Sequence, residues 1–98
     1  MNRISNFKFF LQIEYFHYIK KSMKQFSRIT LNPSVMGGKP CVRGMRVTVG
    51  MILGLLASNK TNDEILKAFP YLELEDIQES LKYAAWRLME FETELPAA

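Results

Sequence analysis

The chain has 98 residues, a formal net charge of +3, 48% hydrophobic residues, one cysteine and one histidine. That suits one small globular domain with a thin core, which a second copy would help to stabilise, and it is too apolar for a disordered chain. One cysteine excludes an internal disulfide framework and fits a reducing cytoplasm, while Cys41 and His17 are too far apart to offer metal-ligand spacing.

The charge is unevenly placed. Residues 1–60 hold ten Lys or Arg and one acid, Glu14, whereas residues 61–98 hold three Lys or Arg and nine acids. Such a split predicts either two faces with different partners, one of them polyanionic, or halves that pair with each other or with a second copy.

In chain order, residues 1–22 come first, with six of the twelve aromatics. Ile4, Phe7, Leu11, Tyr15 and Tyr18 fall at helical spacing, but other faces are apolar too. The run FKFFLQIEYFHYI is broken by Lys8, Gln12, Glu14 and His17, so it neither spans a bilayer nor resembles a signal peptide. We read residues 1–22 as an upstream extension before a start at Met23, or as an accessory helix. Residues 23–98 form a single domain; they hold nine cations and nine acids.

Around Ile29 the residues alternate as in a short half-buried strand, and Asn32-Pro33 ends it. The segment MGGKPCVRGMRV, residues 36–47, follows with three glycines, one proline and three cations. Gly37-Gly38 allow positive φ, and Pro40 requires an edge strand or a late start. The expectation is one or two short antiparallel strands.

Thr48 is placed to cap a helix with Val49, Ile52, Leu53 and Leu56 on its apolar face, and Asn59 to stop it in the left-handed region. Thr61 and Glu64 spell a capping box for a short helix, Asn62 to Ala68, which Phe69-Pro70 closes. In the third helix Leu74, Ile77, Leu81, Ala84, Leu88 and Phe91 form a narrow seam of the coiled-coil kind. Glu75 and Asp76 occupy its first turn, where the helix dipole favours acids. The fold class is therefore mainly α, a trihelical helix-turn-helix core preceded by a strand/turn arm.

The functional readings divide at the arm. A P-loop needs Gly-Lys followed by Ser or Thr, and here Pro40 follows Lys39. No nucleophile–base pair stands out, so neither an enzyme nor a cofactor is expected. Lys39, Arg43 and Arg46, joined by Arg28 from the neighbouring strand, suit phosphate contacts along a nucleic-acid backbone or in a minor groove. The third helix is a poor reader. Glu73, Glu75, Asp76 and Glu79 at its start would repel phosphate, leaving Gln78 and Lys82 to reach bases. The equal alternative is that Arg43 and Arg46 pair with that acidic helix, in the same chain or a second copy.

The stretches RITLNPSVMGGKPCVRGMRVTV, ILGLLAS and DEILKAFPYLELEDIQESLKYAAW together resemble the bacterial domain-of-unknown-function family 433, over about residues 27–86. The signature residues are Gly37, Gly38, Lys39, Pro40, Arg43, Gly44 and Arg46. The resemblance implies a homeodomain-like trihelical protein and an antitoxin of the VapB type. Such a protein would mask a PIN-like ribonuclease toxin and repress a shared promoter as a dimer. Asn59 stands where family members often carry glycine, and Glu73 where Ser or Thr often caps the third helix. Near the C terminus Arg87, flanked by Trp86 and Phe91, is a candidate plug for an acidic nuclease site. For Trp86, core or dimer packing is the stronger expectation. A competing function is a protein–protein interaction module that binds no nucleic acid.

Overall fold

The computed structural model describes residues 23–94, with side chains described from Lys24 to Glu90. Residues 1–22 and the Phe91 side chain lie outside that description, and so do the expectations attached to them. After a 3-10 turn at Met23–Gln25, the order is β1 (Ile29–Thr30), a second 3-10 turn (Met36–Gly38), β2 (Cys41–Val42), α1 (Val49–Ala57), α2 (Asn62–Ala68) and α3 (Leu74–Glu94). The expected three helices and strand arm are present.

β1 and β2 pair antiparallel, Ile29 with Val42 and Thr30 with Cys41. On its other side β2 bridges to the entry of α1, Cys41 to Thr48. Its hydrogen bonds there run from Val42 N–H to the Val47 carbonyl and from Val49 N–H to the Pro40 carbonyl, both 2.9 Å. The strand starts just after Pro40, where a missing N–H costs nothing. Between Val42 and Met45 the chain reverses through Arg43 (φ 46°) and Gly44 (φ 73°), closed by Met45 N–H to the Val42 carbonyl at 2.8 Å. Two positive φ values in succession give the I′ sense that suits strand twist.

The helix ends follow their local chemistry. The Thr48 hydroxyl accepts from Met51 N–H at 3.0 Å. Asn59 sits at φ 67°, with Asn59 N–H bonded to the Leu56 carbonyl and Lys60 N–H to the Leu55 carbonyl, a Schellman stop. The capping box is complete: Glu64 accepts from Thr61 N–H at 2.9 Å and the Thr61 hydroxyl from Glu64 N–H at 3.1 Å. Those bonds hold the Glu64 carboxyl below its ordinary pKa.

The core has two parts, both crossed by α3. Phe26, Ile29, Val49 and Tyr83 form one, with Trp86 packed against it; Val42, Val47, Ile52, Ile65, Leu72 and Ile77 form the other. The leucine seam differs from the buried face. Ile77 is fully buried, but Leu74, Leu81 and Leu88 are 39%, 47% and 63% exposed. The inward stripe of α3 is instead Asp76, Ile77, Ser80 and Tyr83. Two of those four are polar, so a reading by hydrophobicity rotates the helix away from its true inner face. Burial is tolerated because both polar groups are bonded: the Ser80 hydroxyl donates to the Asp76 carbonyl at 2.7 Å, and the Asp76 carboxylate meets the arm.

Candidate functional site

The arm meets α3 at a single carboxylate. Asp76 is fully buried and accepts four hydrogen bonds: Arg28 Nη1 at 2.8 Å, Arg43 Nε at 3.1 Å, Arg43 Nη2 at 2.8 Å and Glu73 N–H at 2.8 Å. A carboxylate has about four lone-pair positions, and all are used. Arg43 grips both oxygens in a fork and adds a bond from Nη2 to the Tyr71 carbonyl at 2.9 Å. Arg28 reaches Glu73 as well, at 2.6 Å, and its backbone N–H donates to the Glu79 carboxylate.

The geometry has local causes. Asp76 is the third residue of α3, the position from which an acidic side chain reaches back to the N-cap amide. Glu73, which stands where Ser or Thr often caps the third helix, directs its carboxylate at Arg28 while Asp76 bonds its amide. Arg43 reaches Asp76 from its left-handed turn position. β1 brings Arg28 alongside, and Arg43 N–H donates to the Arg28 carbonyl at 2.7 Å.

Electrostatics follow the burial. Desolvation alone would raise the Asp76 pKa, but Arg43, the Glu73 amide and Arg28 outweigh it and hold the pKa at about 2. Both arginines are shifted upward, Arg28 mainly by Glu73 and Arg43 mainly by Asp76. A carboxylate this acidic, with no open lone pair, has no capacity to act as a general base. Cys41 is buried, its thiol is pushed up by desolvation, and its Sγ donates to the Lys39 carbonyl at 3.3 Å. Among the described residues no group of His, Cys, Asp and Glu is arranged to hold a metal ion, and no helix is long and apolar enough to cross a membrane.

The four arm cations are thus divided. Arg28 and Arg43 are bound to acids of α3, so the alternative of pairing with the acidic helix is realised for Arg43 within one chain. Lys39 and Arg46 are exposed and make no ion pair or side-chain hydrogen bond among the described residues. Of the four acids expected at the open end of α3, Asp76 is buried and Glu79 half-buried; both face the arm. Gly37 and Gly38 serve conformation, at φ 67° and 83°. Trp86 packs with Phe26 (5.5 Å between centroids) and Tyr83 (5.9 Å), and Arg87 lies over its ring at 5.9 Å.

Reading by residue type missed Asp76 as the hub. The available signal was its spacing: residues 76, 80 and 83 share a helix face with Ile77, and two arginines lie on the preceding arm.

The arrangement defines a small three-helix domain whose two-stranded arm is clamped to the start of its longest helix by buried charge. This chain belongs to the DUF433 family: residues 29–84 match the family described as "Protein of unknown function (DUF433)". It is similar to "Uncharacterized protein y4eO" of Sinorhizobium fredii (strain NBRC 101917 / NGR234), 36% identical over 56 residues, which cover 57% of this chain and 25% of that protein. The match thus spans about a quarter of that curated relative. The crystal structure of a DUF433 member protein from Anabaena variabilis ATCC 29413 has the same fold, with a TM-score of 0.61 at 21% identity, over 86% of this chain and 80% of that one.

Proposed function

We propose that this chain is a non-enzymatic, antitoxin-like protein that masks a PIN-like ribonuclease and contacts promoter DNA through its arm. The observation that carries the first half is the far end of α3. Beyond Tyr83 the helix is apolar on more than one side: Trp86 and Arg87 are half-buried, while Leu88 and Met89 are each 63% exposed. A helix end of this kind suits a clasping protein partner. Arg87, pre-positioned over Trp86, brings a cation to the acidic site of a metal-dependent nuclease.

The test is RNA cleavage by a PIN-like ribonuclease, with and without the full-length chain. Stoichiometric inhibition, relieved by Arg87→Glu, supports the reading. Undiminished cleavage at saturating chain contradicts it.

For DNA the proposal rests on Lys39 and Arg46, since Arg28 and Arg43 are neutralised by their acids. Two phosphate contacts give a salt slope of about −2 on logarithmic axes. Fluorescence anisotropy on the protein's own promoter, repeated with Lys39→Ala plus Arg46→Ala, measures it. The competing interaction module without nucleic acid is favoured by one observation: Asp76, Glu73 and Glu79 surround the two bound arginines and reduce the positive field of the arm. No binding above unrelated DNA, with the protein folded, selects that module.

A further inference from the structure

The outer face of α3 is organised as well as its inner one. Leu74, Gln78, Leu81, Ala85 and Leu88 recur at intervals of four and three, all exposed, on the side away from Ser80 and Tyr83. They form a straight stripe about 21 Å long, at 1.5 Å per residue. A 3.5-residue repeat of this kind is the seam of paired helices. Tyr71, 52% exposed, lies before the helix begins and sits beside Met45, Arg46 and Val47 of the arm. Glu75 and Lys82, each one residue after a leucine, lie along one edge of the stripe. Both are exposed and neither makes an ion pair among the described residues.

We propose that this face pairs with itself: α3 docks antiparallel against α3 of a second copy. Charge selects both occupant and direction. In an antiparallel two-fold pair, Leu81 packs on Gln78 of the second copy and Leu74 on Ala85. The same register sets Glu75 about 3 Å along the axis from Lys82 of the second copy, within reach of both long side chains, and symmetry repeats the contact. A parallel in-register pair places each Glu75 level with its own copy and leaves the two signs a full two turns apart. Ala85 gives Leu74 room for close approach, and Gln78 near the axis fixes the register at some cost in affinity. The inference does not depend on the ribonuclease or on DNA.

Sedimentation equilibrium of the full-length chain at micromolar concentration tests it. The expected species is a dimer. Leu81→Asp, at a half-exposed position, should give a monomer with unchanged far-ultraviolet circular dichroism. Glu75→Lys and Lys82→Glu should each weaken the dimer about 10-fold, through two repulsive contacts. An equimolar mixture of these two variants should recover wild-type affinity as a heterodimer, because every cross-pair is then opposite in sign. A monomeric wild-type chain overturns the proposal and leaves the stripe to residues 1–22 or another partner. So does a dimer indifferent to Leu81→Asp, or a mixture no tighter than its components.

Discussion

Arg43 holds Asp76 by both carboxylate oxygens, with Nε at 3.1 Å from one and Nη2 at 2.8 Å from the other. The acid is fully buried and the arginine side chain 37% exposed. A strand turn and a helix start, 33 residues apart in sequence, are joined at this fork. It limits what Arg43 offers a partner, because three bonds from Nε and Nη2 are already committed to Asp76 and the Tyr71 carbonyl and its charge is offset by the buried carboxylate.

Removing the acceptor should be costly. Asp76→Ala leaves Arg28, Arg43 and the Glu73 amide without their shared partner. Loss of one member of a buried pair costs about 3 kcal/mol, and part of that is recovered here because both arginines reach solvent. Urea unfolding is the measurement. A midpoint matching the wild type would show that the arm is held by packing alone.

The same carboxylate makes stability depend on acid. Its folded pKa of about 2 lies below the ordinary 3.8, so the unfolded chain binds its proton first as pH falls. The contribution is fully present above about pH 4, declines as pH drops, and is gone below about pH 2. Its size is on the order of 2 kcal/mol. Asp76→Asn should be less stable at neutral pH, and its curve should converge with that of the wild type near pH 2. Parallel curves throughout would show that other carboxyls govern the acid limb.

Arg43 carries two opposed effects that substitutions separate. Its φ of 46° is strained for a side chain bearing a Cβ, by about 1 kcal/mol. Arg43→Ala keeps the strain and loses the fork; Arg43→Gly loses both. The glycine variant should therefore be the more stable of the two, by about 0.5 kcal/mol after allowance for glycine's greater unfolded freedom. Equal stabilities would mean that the turn relaxes once the fork is gone.

What could be read in the chain beforehand divides by range. Thr48, Asn59 and the Thr61–Glu64 box act within a few residues, and their chemistry is complete in the local sequence. Pro40 likewise marked where β2 could begin. The inner face of α3 was illegible for the opposite reason. Asp76 and Ser80 are inside only because Arg28 and Arg43, from 48 and 33 residues away, supply what a polar group needs when buried, while leucines that look like core lie outside. The charge split was visible. That the arm would close onto Asp76, with Arg28 joining Arg43 and Arg46 left out, required the geometry of the turn.

The most direct test of the arm clamp is a double-mutant cycle on Arg43 and Asp76, with unfolding free energies for the wild type, Arg43→Ala, Asp76→Ala and the pair. A fork to a buried carboxylate predicts a coupling energy of about 2 kcal/mol, with the double variant scarcely worse than Asp76→Ala alone. A coupling near zero, with the two losses simply adding, would contradict the clamp and return Arg43 to the cations available to a partner.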